Sequence, residues 1–359
     1  MQFNTLRRSD PALPALTLII MAAGLAVLYS ASHNFGSQFL VRQLLWIGLG
    51  TVFISLILFI NYYRIAGFSY YLYGFNILLL IAVILFGSVR MGAKRWLSFG
   101  GVSFQPSEFA KITVILALAR YLGDIDRSDF RPGHFFAAAM IAFFPVLLIM
   151  KQPDLGTSLI FFPILLVMLY WKGVDIRYIL SLIFMALAAA PIGWHLLKDY
   201  QKSRLLVFIN PNMEPLGAGY TIIQSKIAIG SGWLFGKGWL AGTQNQLNFL
   251  PERHTDFIFS VAGEEWGFMG SCILVLLYLM FIKKVFRIAE SSSDGCAGLT
   301  AAGIMTMFLL HVVINIAMTM GLMPVVGLPI PFISYGGSWM VASMIAVGIL
   351  LSIDSLNRA

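Results

Sequence analysis

Ten apolar runs, each of spanning length, constrain this chain more than any other feature in it. They fall near 12–32, 39–61, 67–87, 106–122, 134–150, 156–172, 177–197, 257–282, 297–322 and 334–353. A hydrocarbon core about 30 Å thick is crossed by about 20 residues of helix. No water is available there to bond the backbone, so each run satisfies its own N–H and C=O groups as a helix; the alternation of a closed barrel is absent. The expectation is an all-α integral membrane protein: a single bundle of ten transmembrane helices, one domain over residues 1–359. With 59% of residues hydrophobic and 11% charged, an ordinary soluble globule is excluded.

Charge placement sets the orientation. Arg7 and Arg8 precede a first run too long for a cleaved signal, so it reads as a retained span. Loops on that side carry Arg64, Arg120, Arg127, Arg131, Lys172, Arg177, Lys283, Lys284, Arg287 and Arg358, which places both termini in the cytoplasm. The opposite side is not depleted of cations: Arg42, Arg90, Lys94, Arg95 and Lys151 lie there, with Lys198, Lys202, Arg204, Lys226, Lys237 and Arg253 in one long loop. A chain that keeps cations outside, against the usual bias, points to an anionic partner at that face, a lipid-linked one and not nucleic acid. Cys272 and Cys296 sit in or beside apolar runs without ligand spacing, so neither a disulfide nor a metal site is implied.

Two outer stretches break the pattern. The loop of about 198–256, between the seventh and eighth helices, is too long to be structureless. Within it Tyr220–Ile229 has apolar residues at helical spacing with Gln224 and Lys226 opposite, which suits a helix along the membrane interface. Gly230, Gly232, Gly236, Gly238 and Gly242 then mark a compact segment holding Trp233 and Trp239, residues that favour the head-group zone. The second stretch, 321–338, has Pro324, Pro329 and Pro331 in an apolar run and reads as a re-entrant segment before the tenth helix.

The chemistry-bearing residues cluster on the outer side. Asp256 stands where an apolar span begins; it suits a general base of raised pKa or, equally, an N-cap for the span, a job Thr255 could share. Glu108 and Lys111, three apart on a helix, form a structural ion pair unless Lys111 holds a phosphate or positions Asp256. Arg90, Lys94 and Arg95, with Trp96 and Gln105, suit a diphosphate or simply a solvated loop. Asp154 either belongs to a similar turn or caps the helix after it, and Arg204 is a further phosphate ligand or a solvated cation. Glu264 and Glu265, being adjacent, face different sides, one toward a central cavity and one satisfied locally; His311 and Asn315 are set for an interhelical hydrogen bond. Neither a Walker A motif nor a dinucleotide fingerprint is present. These residues describe an enzyme on a lipid-linked anionic substrate or a transporter of one.

The motifs themselves are specific. Gly217–Gly232, Gly236–Gln244 and Phe249–Phe259 (Phe-Leu-Pro-Glu-Arg-His-Thr-Asp-Phe-Ile-Phe), with Phe104–Lys111, Gln152–Ser158 and Leu328–Ser338, closely resemble the SEDS family of shape, elongation, division and sporulation proteins, in its rod-elongation branch. The resemblance covers nearly the whole chain. It implies a peptidoglycan glycosyltransferase of the bacterial inner membrane that polymerises lipid II, inverts at the anomeric carbon and releases undecaprenyl diphosphate. The family's essential aspartate maps onto Asp256, its lysine onto Lys111 and the lysine's partner onto Glu108. Arg204 falls in a matching string, and Arg95, Lys94, His254 and Gln105 complete the expected substrate-binding set. A divalent cation, magnesium or manganese, is compatible at the leaving group, though no dedicated ligands are visible. The resemblance also implies the elongation machinery and a class B penicillin-binding protein as partners. A lipid II flippase is the competing reading, and a non-catalytic scaffold a third.

Overall fold

The computed structural model describes residues 10–90, 93–99, 102–214 and 217–358; Arg7 and Arg8 lie outside these, as does the side chain of Arg90. Among the described residues ten long helices follow the ten apolar runs: α1 (Ala12–Ser32), α2 (Gln38–Ile60), α3 (Ser69–Phe86), α4 (Pro106–Gly123), α5 (Pro132–Lys151), α6 (Leu155–Lys172), α7 (Ile176–Leu196), then, beyond the loop, α10 (Ile258–Ser291), α11 (Gly295–Thr319) and α12 (Gly337–Asn357). Eight are long and apolar enough to cross a membrane. The other two are α4, which carries Glu108, Lys111 and Arg120, and α10, which leaves helical geometry at Gly267. The protein is an all-α, multi-span membrane protein.

The core lies around α4, α11 and α12. Nearly all of α12 is enclosed, 89% of its most apolar window, against 11% for α7, which leaves the latter's apolar faces for lipid. Close approach relies on small residues, as is usual between helices in lipid. A Cβ on Gly303 would stand 2.6 Å from Ile115 of α4, and one on Gly50 2.3 Å from Met344 of α12.

The basic loop between α3 and α4 is not irregular. It folds as a three-stranded antiparallel sheet, β1 (Ser88–Arg90), β2 (Ala93–Phe99) and β3 (Val102–Phe104), with Ser88 opposite Trp96 and Leu97 opposite Phe104. This departs from an entirely helical expectation. The strands are short and sit beyond the ends of α3 and α4. Lys94 fastens the sheet: its ammonium donates to the carbonyls of Ile84 and Leu85, at 3.0 and 2.9 Å, which the end of α3 leaves unpaired.

The long loop carries α8 (Asp199–Ile209) and α9 (Ala218–Ser231), the latter over the expected helical stretch. The glycine-rich segment after α9 is spliced into α10. At Gly267 the dihedrals are φ 66° and ψ −162°, and the bonds of an unbroken helix from residues 268 and 269 back to 264 and 265 are replaced. Phe268 N–H donates to the Trp233 carbonyl (2.8 Å) and Met269 N–H to that of Leu234 (3.0 Å). In return Lys237 N–H donates to the Glu264 carbonyl (3.0 Å) and Gly238 N–H to that of Glu265 (3.1 Å). Glycine is required where these backbones meet: a Cβ on Gly267 would lie 2.2 Å from Gly236 N.

The two glutamates beside this splice correct an expectation. Neither serves a central cavity; both are buried and both hold the long loop. Glu264 accepts from Lys237 Nζ (2.8 Å), Thr243 Oγ1 (3.1 Å) and Gln244 N (3.0 Å). Glu265 accepts from Ser30 and Asn245. Their adjacency on α10 does not separate them, because residues 237–245 fold back across both.

Residues 321–336 contain no helix and are largely buried from Leu328 onward, as three prolines in an apolar stretch predict. The segment packs beneath the turn that precedes α10. That turn holds Asp256.

Candidate active site

Asp256 lies in a run of turns over 251–257. The residue preceding the first helical position of α10 is Phe257, and no side chain caps that end. The capping role open to Asp256, and to Thr255, is therefore not used. The turn is instead held through its backbone by the non-helical segment below. Asn315 Nδ2 donates to the Asp256 carbonyl (2.9 Å) and to that of Leu328 (2.6 Å). Ser334 Oγ donates to the Thr255 carbonyl (2.7 Å), and Tyr335 N–H to the His254 carbonyl (2.9 Å). The carboxyl group of Asp256 is left over from this scaffolding.

Its surroundings suit a base. Asp256 is half-buried, and its pKa is pushed up to about 6 by burial first and by the Glu252 carboxylate second, with Arg204 and Arg95 pulling the other way. A pKa near the working pH is what a general base requires. Room beside it depends on Gly327, at φ 72°: a Cβ there would stand 3.2 Å from Asp256 Oδ2.

The two arginines come from different elements. Arg204 on α8 is exposed and donates to the Val325 carbonyl at 3.3 Å. Arg95 on β2 donates to the carbonyls of Gln152 and Pro153 and faces the Asp154 carboxylate at 3.7 Å. Asp154 does cap α6, taking Thr157 N–H at 3.3 Å, and it also gathers Thr157 Oγ1 (3.0 Å) and Gln105 Nε2 (3.3 Å). Gln105 thus reaches Asp256 only indirectly, by holding the carboxylate that faces Arg95. Asp154 as a hub was not legible in sequence; capping looked sufficient for it, and nothing local marked the arginine.

Other expected residues have other placements. Lys94 is committed to the end of α3. The His254 ring packs against Phe39 (centroids 4.6 Å apart) and Tyr335 (5.9 Å), and burial lowers its pKa below the usual histidine value. Arg253 is buried, with Nε donating to the Ala31 carbonyl at 2.8 Å.

Glu108 and Lys111 form the ion pair that their spacing allows, at 2.7 Å, with Lys111 wholly buried. The ammonium also meets His311 Nε2 (2.9 Å) and lies 4.1 Å from the centre of the Trp339 ring, on which His311 stacks. His311 Nδ1 in turn meets the Pro329 carbonyl at 2.9 Å. A chain of contacts therefore runs from Glu108 through Lys111 and His311 to the segment that braces Asp256. His311 and Asn315 do bridge elements, but three of their partners are backbone carbonyls.

Among the described residues no three His, Cys, Asp or Glu side chains converge as a metal site. Asp256, Glu252 and Asp154 do not come together as the ligand set that a divalent cation would take.

Comparison with known proteins agrees across the whole length. Residues 11–359 match the family described as cell cycle protein, of FtsW, RodA and SpoVE. The chain is 42% identical over 352 residues to the peptidoglycan glycosyltransferase MrdB of Escherichia coli K12, covering 97% of this chain and 94% of that one. It is 34% identical to the peptidoglycan glycosyltransferase RodA of Treponema pallidum, over 94% of this chain and 95% of the other. Among solved structures, a chain from a peptidoglycan synthase complex that coordinates polymerization and crosslinking superposes with a TM-score of 0.84 at 32% identity, over 97% and 98% of the two chains. The rod shape determining protein RodA of Thermus thermophilus superposes with a TM-score of 0.73 at 30% identity, each chain covered to 96%. The chain belongs to the FtsW–RodA–SpoVE family, the SEDS family that its motifs resemble.

Proposed function

We infer that this chain is a peptidoglycan glycosyltransferase of the RodA–MrdB type, which polymerises lipid II into glycan strands for cell elongation. The observation that carries the mechanism is Asp256: a desolvated carboxyl under the influence of two arginines that, among the described residues, caps no helix and makes no ion pair. As a carboxylate it takes the proton of the acceptor sugar's 4-hydroxyl. The oxygen forms a bond to the donor's anomeric carbon from the face opposite the diphosphate, and the configuration inverts. The bond from that carbon to the diphosphate oxygen breaks, and its electron pair leaves with undecaprenyl diphosphate. Arg204 and Arg95 stand ready for the charge that develops on the leaving group, and cations placed beforehand stabilise it without reorganisation. Gln105 and Asp154 position Arg95. Glu108 and Lys111 act as a buried brace on the segment under Asp256. His254 orients the turn through its ring packing.

The same reading has ten spans, with α4 and α10 crossing beside the eight apolar helices, the domain over 1–359 and the loop at about 198–256 outside. Both termini are cytoplasmic, in a bacterial inner membrane. Likeness to a chain of a peptidoglycan synthase complex supports a transpeptidase partner, a class B penicillin-binding protein whose catalytic domain sits outside. The test is gel-resolved polymerisation of purified lipid II by the solubilised protein with its partner, wild type against Asp256→Ala, and the partner alone as control. Polymer from the wild type only establishes the assignment. No polymer from folded wild-type complex moves the protein to lipid II transport, and equal polymer from both variants places the base elsewhere.

A further inference from the structure

The tip of the segment spliced into α10 is apolar and faces outward. Trp233, Leu234 and Phe235 are 83, 57 and 81% exposed, and the α10 residues they join, Phe268 and Met269, are 60 and 50% exposed. Five large apolar side chains thus form one surface beside the break at Gly267. Their depth follows from α10. Its inner end carries Lys283, Lys284 and Arg287, and the stretch from Gly267 to Ile282 holds no charged residue. Counting outward from Lys283, about 20 residues at about 1.5 Å each span the hydrocarbon core and end near Gly263. Phe268 and Met269 then lie about 7 Å inside the outer boundary. The tip, bonded to them through the Trp233 and Leu234 carbonyls, lies at the same depth.

Non-helical backbone is tolerated at that depth only where its polar groups are satisfied. Here they are: the carbonyls of residues 233 and 234 take the two N–H groups that the break releases. Lys237 and Gly238 give theirs to Glu264 and Glu265, and Gly236 N–H donates to the Gly232 carbonyl at 2.7 Å. The splice allows a loop from the aqueous face to enter hydrocarbon without an unpaired backbone group among these.

We propose that Trp233–Leu234–Phe235 is a wedge inserted among the acyl chains of the outer leaflet, seating the long loop at a fixed depth in the lipid. The occupant of this surface is hydrocarbon: five apolar side chains lie next to the uncharged stretch of a span, and no charge flanks the tip until Lys237. This sets Trp233 deeper than the head-group zone to which tryptophan is usually drawn. The wedge rests on α10 crossing the membrane, as in the topology above.

The test uses the full chain in nanodiscs, in a Cys272→Ser background, with a bimane label on Phe235→Cys. Emission is read with aqueous iodide and with lipid carrying a nitroxide high on the acyl chain. Leu276→Cys, on the uncharged stretch of α10, reports the span, and Asp199→Cys, at the exposed start of α8, reports water. The expected result is loss of emission to the nitroxide and none to iodide at both 235 and 276, with the reverse at 199. Iodide quenching at 235 with lipid quenching at 276 overturns the wedge and leaves the span intact. Protection of 235 from both quenchers also overturns it, since protein then covers the tip. No lipid quenching at 276 removes the span and the wedge with it.

Discussion

Asparagine in place of Asp256 keeps the shape of the side chain and removes the proposed base. Polymerisation by Asp256→Asn should fall by about 10²- to 10⁴-fold, the range a positioned general base contributes. For the wild type, the carboxyl has to be ionised to accept a proton. Lipid II polymerisation should therefore rise with pH up to about 6, the pKa of Asp256, and level off above it. The stability of the fold runs the other way. The folded value lies above the ordinary 3.8, so the penalty for ionising this carboxyl is absent at pH below 3.8 and complete above about 6. Asp256→Asn should accordingly melt higher than wild type at neutral pH and no higher at pH 4, an activity lost while stability is gained. A melting temperature lowered at neutral pH would show that the carboxyl has a structural duty after all. Lys111 behaves differently because its partner is buried with it. Lys111→Met leaves Glu108 without its cation in the core, and loss of one member of such a pair costs about 3–5 kcal/mol. The double variant Glu108→Gln/Lys111→Met should recover much of that in a thermal melt. Recovery of melting without recovery of polymer would mark Lys111 as more than a brace.

The splice at Gly267 is where an element depends most on one position. Gly267→Ala meets Gly236 N at 2.2 Å and keeps φ at 66°, so both the contact and the backbone conformation oppose it. The expected cost is about 1–3 kcal/mol for the dihedral alone, with the steric overlap added to it. The outer loop should release first, seen as faster hydrogen exchange at residues 232–238 while α11 and α12 keep their protection. Helix positions were legible in sequence to within a few residues because lipid leaves one way to satisfy a backbone, and the apolar runs carry that demand directly. The exception is α10, which continues to Ser291 past the apolar run; the charged residues from Lys283 to Arg287 continue the helix beyond it. The β-sheet at 88–104 was not legible. Its strands are three to seven residues long and mix basic and apolar side chains, a pattern shared by any solvated loop. The splice was hidden for another reason: glycines at 232, 236 and 267 signal close approach, but the sequence does not say to what. Asp256 is singled out as a candidate base only through the family motif. Position alone left base and cap equally open, and the uncapped start of α10 is a property of the fold.

Across the whole molecule the first and last described residues, Asp10 and Arg358, meet. Asp10, just before α1, accepts from Lys284 of α10 and Arg358 after α12, and its backbone N–H donates to Asp354. The Lys284 hydrogen bond first, then a backbone bond, and after these the charges of Lys284 and Arg358 hold the Asp10 carboxyl down at about 2, against an ordinary 3.8. A depressed carboxylate stabilises the fold at pH above 3.8, and the contribution disappears as pH falls through about 2. Asp10 is partly solvated, so Asp10→Asn should cost only about 1 kcal/mol at neutral pH. That cost should disappear toward pH 2 and shrink in high salt; a salt-independent loss would point to packing and not charge.

The spliced span bears on how such a protein comes to be made. A transmembrane helix is ordinarily complete in itself: all its backbone bonds run within one stretch of chain, and it can enter lipid as soon as it is synthesised. Here the segment that completes α10 is translated about 30 residues before the break it fills, so it reaches its final bonds only after α10 itself has been made. If α10 crosses the membrane as proposed, the Phe268 and Met269 N–H groups lie in hydrocarbon and need either the Trp233 and Leu234 carbonyls or the helical carbonyls of 264 and 265 that these replace. The final geometry of α10 and the fold of the long loop are therefore reached together, so a protein whose long loop has misfolded also lacks the finished form of α10.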